Sequence, residues 1–224
     1  MKKILLLCIT LITANAFAQR TIDKEVGDFD TVKVFDLIEV NLIKSDENRV
    51  FIKGENVDDI QIVNKNGILK IRMELEKIFH GEDTFVEVHY TNLKLIDGNE
   101  GAKITSNAQI QQNTIELKAQ EGAQIKVGLA VNHVAIRAVT GGVVDASGIA
   151  KNQEVVLNTG GVFEGRELAT ETASVKITAA GEAEVNATEK LDIKVKAGGN
   201  VYVYGNPKEL NKSTFAGGKI YIQD

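Results

Sequence analysis

Five side chains in the second half of the chain have types and spacing that could do chemistry. Asp145, Glu164, Glu184, Tyr202 and Tyr221 follow one another at intervals of 19, 20, 18 and 19 residues. If the chain winds once per interval, they stand in one outward column with neighbours about 5 Å apart. Three adjacent carboxylates at that distance repel, and could bind a cation or hold raised pKa values. The two tyrosines could stack on a sugar ring. The plainer alternative is a solvated face whose side chains splay apart. A second column, Lys118, Arg137, Lys176 and Lys194, is basic on the other strand face. Solubility and edge protection would account for it equally well. Glu100 and Glu121 would stack at a corner.

Such columns need a repeat to position them, and one is present. From residue 100 onward a triplet of small residues recurs: Glu100-Gly101-Ala102, Glu121-Gly122-Ala123, Thr140-Gly141-Gly142, Thr159-Gly160-Gly161, Ala179-Ala180-Gly181, Ala197-Gly198-Gly199 and Ala216-Gly217-Gly218. Two positions after the third member stand Ile104, Ile125, Val144, Phe163, Ala183, Val201 and Ile220, all apolar. The next position is mostly polar, and the one after it apolar or small. Six positions before the third member stand Ile96, Leu117, Ile136, Val155, Val175 and Ile193. That alternation predicts a half-buried strand on either side of each turn. Glycine suits the corner, where φ > 0 costs other residues about 1–2 kcal/mol. Strand, tight turn, strand and looser corner, stacked in register, make an all-β fold: a parallel β-helix, or solenoid, of about 20 residues per coil, rising roughly 30 Å over seven coils. The last copy is worn at Lys212, Ser213 and Thr214, as expected where a solenoid ends. A glycine-rich antiparallel meander or sandwich is the competing reading.

Residues 19–95 are β-rich without the triplets. Strands are expected at 31–35, 37–44, 49–53 and 85–90, with a hairpin of 60–63 and 68–73 around Asn66-Gly67. This region would cap the N-terminal end of the solenoid (96–224), either as a separate domain or as irregular early coils. Residues 1–18 read as a cleaved signal peptide: Lys2 and Lys3, an apolar stretch over 4–12, then Ala16-Phe17-Ala18. The apolar stretch is too short to span a bilayer; the alternative is a buried strand or an anchor. Cys8 lies inside that stretch with no small residue before it, so lipidation there is not expected. Removal leaves 206 residues with 24 basic and 31 acidic side chains, a net charge of −7 and no cysteine. The expected destination is the periplasm, the cell surface or the medium.

Much chemistry is excluded. The formal charge of −5 argues against a nucleic-acid partner. No later stretch is apolar enough to make a transmembrane segment. No Gly-x-Ser-x-Gly elbow or His-Glu-x-x-His pair occurs, and His80, His89 and His133 lack metal-ligand spacing. Gly141-Gly142 and Gly160-Gly161 are not phosphate loops, since no helix start or following Lys accompanies them. No catalytic residue, metal or cofactor is expected.

Several stretches together carry a family likeness. They are Phe29-Asp30-x-Val32-x-Val34, Gly67-Ile68-Leu69-Lys70-Ile71, the serial glycine turns and Tyr204-Gly205-Asn206-Pro207. With the signal peptide, they make nearly the whole mature chain resemble the bacterial family "putative auto-transporter adhesin, head GIN domain". The chain departs from it in Glu-Gly-Ala, Thr-Gly-Gly and Ala-Ala-Gly where Gly-Ser-Gly is more usual. The resemblance implies a β-helix and, by name, adhesion, and brings no catalytic residues. The auto-transporter part is not expected, as no series of barrel strands follows the solenoid.

Three functions remain. The favoured one is a non-enzymatic binding module presenting a long β face to a glycan or protein partner at the cell envelope. The second is a polysaccharide-processing enzyme, in which Asp145 and Glu164 would stand within the roughly 5–10 Å that glycoside chemistry wants. The third is a structural protein whose coil ends stack with copies of itself, a homo-oligomer. Coils of 18–21 residues leave little length for the loops that wall an active site, which favours the first.

Overall fold

Period-two alternation of apolar and polar side chains, broken once per coil by a glycine-bearing turn, winds this chain into a parallel β-solenoid. The computed structural model describes residues 21–54 and 57–223. The signal-peptide reading of residues 1–18, with Cys8, lies outside the described residues. The first half contributes β1 (Thr21–Glu25), β2 (Thr31–Val34), β3 (Glu39–Lys44), β4 (Arg49–Gly54), β5 (Ile60–Lys65), β6 (Ile68–Met73), β7 (Thr84–Tyr90), β8 (Leu95–Gly98) and β9 (Lys103–Ser106). The second half contributes β10 (Ile110–Gln120), β11 (Gln124–Val139), β12 (Val143–Asn158), β13 (Gly161–Ile177), β14 (Gly181–Ala197), β15 (Asn200–Tyr204), β16 (Glu209–Ala216) and β17 (Lys219–Ile222).

The register is the one read from the triplets. After the turn, Ile104 pairs with Ile125, then Val144, Phe163, Ala183, Val201 and Ile220 in successive coils. Before the turn, Ile96 pairs with Leu117, then Ile136, Val155, Val175, Ile193 and Lys212. In the last coil Ile220 is half-buried and Lys212 is exposed; as far as Val201 and Ile193 both columns face inward and are buried. Full burial of such a side chain is worth about 1.5–3 kcal/mol, so the continuous columns are the main source of cohesion. The strip before the turn is called face A below, and the strip after it face B. A third side, where the long strands bend, is looser: the pairing slips between Asp145 and Gly148, and again between Glu164 and Ala169.

The turns themselves stack. Thr140 and Gly141 both take positive φ (51° and 74°), and the Gly142 amide closes the turn onto the Val139 carbonyl at 3.0 Å. With both central residues at positive φ, this is a mirror-image turn. Its remaining amides reach the next coil: Gly122 donates to Thr140, Gly141 to Thr159 and Gly160 to Ala180, at 3.0–3.2 Å.

The first half is wound out of order. β2 lies between β6 and β8, and β3 between β7 and β9, all parallel. β5 then returns antiparallel on β6, β4 antiparallel on β7, and β1 antiparallel outside β4. Val32, Val34, Val40 and Leu42 are thereby buried within the stack rather than at its end. The strand expected at 37–44 begins at Glu39, because Asp36 and Leu37 take φ of 59° and 63° and form a corner. At the other end β16 is almost wholly exposed.

Candidate functional site

Face B carries the five side chains singled out by their spacing. Lys126, Asp145, Glu164, Glu184, Tyr202 and Tyr221 occupy successive rungs of one outward column. They follow from the buried column: each stands one residue past an inward Ile, Val, Phe or Ala, so strand alternation turns it to solvent.

The column is not uniformly acidic. Lys126 Nζ lies 2.7 Å from Asp145 Oδ2, one coil away. That hydrogen bond, with the charges of Asp145 and then Glu164, holds the Lys126 ammonium above its ordinary pKa. The repulsion expected among three bare carboxylates is therefore relieved at one end of the column. Lys126 stands 19 residues before Asp145, and that spacing was the available sign of the pair.

The tyrosines are brought together. The rings of Tyr202 and Tyr221 stack with centroids 5.1 Å apart and planes within 13°. Parallel register sets this distance, since the rings inherit the strand spacing. Tyr221 is exposed and Tyr202 half-buried. Partial burial first, and the nearby Glu182 carboxylate next, push the Tyr202 phenol up, so it remains a hydrogen-bond donor. Two further residues belong here. Tyr204 is two residues beyond Tyr202 on the same face, and the Arg166 guanidinium sits over its ring at 5.0 Å. Alternation placed both on this face, but the bulge after Glu164 hid which ring Arg166 would cover.

The basic column of face A also forms: Lys118, Arg137, Val156, Lys176 and Lys194 stand on successive rungs. Glu100 and Glu121 meet at the turn, where Gly101 donates to the Glu121 carbonyl at 3.0 Å. Burial first, then the charges of Asp36 and Glu121, push the Glu100 carboxyl up. Among the described residues, no group of three or more His, Cys, Asp or Glu side chains is placed to hold a metal ion, and no helix is long and apolar enough to cross a membrane. Chemically, face B offers carboxylate acceptors beside a flat aromatic platform.

Known proteins share this architecture. A model of the family described as "putative auto-transporter adhesin, head GIN domain" matches residues 28–207. A "putative adhesin" from Bacteroides fragilis superposes with a TM-score of 0.85 at 17% identity, covering 93% of this chain and 98% of its own. A "putative lipid binding protein" from Parabacteroides distasonis gives 0.69 at 15%, covering 92% and 97%. A "putative adhesin" from Parabacteroides merdae gives 0.63 at 15%, covering 92% and 96%. At these identities the likeness is one of fold. No curated protein matches the sequence.

Proposed function

This chain belongs to the "putative auto-transporter adhesin, head GIN domain" family, and from that premise we propose that it is an exported, non-enzymatic binding module of the cell envelope. Face B presents its column to a glycan or protein partner. The observation that carries this reading is the Tyr202–Tyr221 stack at the foot of the acidic column, on an open sheet face. Tyr221 turns an exposed ring outward, and a sugar ring laid on it would continue the stack, as apolar ring faces do on aromatics. A longer glycan running along face B would bring further hydroxyls to the carboxylates of Glu184 and Glu164, on the rungs before Tyr202.

The test is a glycan and envelope-fraction array probed with the purified mature protein, with reducing-end release measured in the same wells. Binding without release is the expected result. Y202A/Y221A should lower the affinity for the captured ligand by about tenfold or more, a loss of about 1.4 kcal/mol. Release of reducing ends would overturn the reading and make Asp145 and Glu164 the first targets for substitution.

A further inference from the structure

We propose that face A carries a second binding site, a groove for an acidic polysaccharide, independent of the face B reading. The groove encloses about 520 Å³ and runs along the stack between two outward columns of the same strands. Lys176 and Lys194 stand on one wall; Glu154, Asp192 and Asn211 stand on the other. Over three coils the floor is backbone, because the intervening Val155, Val175 and Ile193 point inward and are buried; in the fourth the exposed Lys212 adds a cation to the lining.

The charge arrangement points to the ligand. Several cations of this acidic protein are paired, among them Lys33 with Asp97, Lys103 with Glu39 and Lys126 with Asp145. Among the described residues Arg137, Lys176 and Lys194 have no ion-pair partner, although they stand in one column. Lys176 and Lys194 occupy adjacent rungs, about 4.8 Å apart in backbone spacing. Like charges so close repel, and an anion that bridges them removes the repulsion. The opposite wall sets the chemical class. Glu154 and Asp192 repel a densely charged polyphosphate, yet carboxylates are good acceptors for hydroxyl groups. A chain that alternates anionic groups with hydroxyls satisfies both walls, and an acidic polysaccharide is such a chain. The groove spans four coils, so an extended polymer fits it better than a compact anion.

The experiment is titration calorimetry of the purified protein with three polymers: polygalacturonate, neutral dextran and inorganic polyphosphate. Polygalacturonate should bind, with affinity falling as salt rises, and dextran should not. K176E/K194E should weaken polygalacturonate binding by about tenfold or more while the thermal melt stays that of the parent. If that double reversal fails to fold, K176Q/K194Q gives the milder form of the same loss. E154Q/D192N should weaken polygalacturonate and strengthen polyphosphate, a crossover that general charge attraction does not produce. Y202A/Y221A should leave polygalacturonate binding unchanged. The proposal is overturned by no polygalacturonate binding, by binding that survives the charge reversals in folded protein, by a parent that prefers polyphosphate, or by loss of binding in the tyrosine variant.

Discussion

Gln153 occupies an inward position between Val134 and Ala173, and neither end of its amide finds a hydrogen-bond partner among the described residues. A buried polar group left unmade costs about 1–3 kcal/mol. Gln153→Leu keeps the volume and removes that cost, so it should stabilise the protein by about that amount in urea unfolding; an unchanged or lower midpoint would mean the amide is satisfied in solution. Glu100 is a half-buried carboxyl whose cost has a pH signature. It sits at a corner with φ of 52°, beside the buried Asp36, whose Oδ2 accepts the Met73 amide at 2.9 Å. With its carboxyl pushed up by burial and by Asp36, the folded protein holds this proton more tightly than the unfolded chain does. Stability from this group is therefore complete below the ordinary value of 4.5 and falls as pH rises through the raised folded value. Glu100→Gln should raise the melting temperature at pH 7 by about 1–3 °C, and parent and variant should converge below about pH 4. An offset constant with pH would assign the effect to packing instead. The five face B side chains were legible in the sequence because strand alternation and a near-constant period suffice to place a column. Lys126 is legible on the same ground, 19 residues before Asp145. The face A groove was not legible, since its depth depends on how far neighbouring side chains stand off the sheet.

At the scale of the turn, small residues look interchangeable in sequence and are not so in structure. The third triplet position holds buried Ala102 and Ala123 in two coils, and glycine in the next. A Cβ on Gly142 would meet the Ala119 carbonyl oxygen at 2.1 Å, and one on Gly161 the Ala138 oxygen at 2.0 Å. Backbone cannot yield as a flexible side chain can. Gly141 is the converse: its φ is +74°, yet open space surrounds the site of a Cβ. Gly141→Ala should therefore cost about 1–2 kcal/mol, the strain of the left-handed conformation, and Gly142→Ala clearly more. Urea midpoints of the two variants decide it, and the reverse order would show that backbone strain outweighs the clash. The first turn position was the least expected, because Thr140 and Thr159 hold positive φ despite branching at Cβ. Their carbonyls accept the Gly122 and Gly141 amides of the preceding coils, so the stacked turns hold each other in place.

The whole molecule is a stack in which contacts run to neighbouring coils, yet sequence order and stacking order disagree at one end. Lys33 pairs in register with Lys70 and with Asp97, 37 and 64 residues away, and the Lys33 ammonium reaches the Asp97 carboxylate at 2.8 Å. No period links such residues, which is why the second half could be laid out from the sequence and the first half could not. The same arrangement has a consequence for stability. β2 and β3 are the layer on which β8 and β9 rest, so residues 96–224 alone would expose Ile96 and Ile104 and a bare parallel edge. A separate domain would instead unfold by itself as it does in the full chain. We expect the 96–224 fragment to aggregate or to lose cooperative unfolding. Removing residues 208–224, whose Leu210 and Ile220 are only partly buried, should lower the midpoint modestly and keep a single transition. Denaturant melts followed with analytical ultracentrifugation compare the two truncations. A monomeric 96–224 fragment with the parental midpoint would show that the first half is an independent domain, whereas failure of that fragment alone assigns the cohesion of the solenoid to its out-of-order coil.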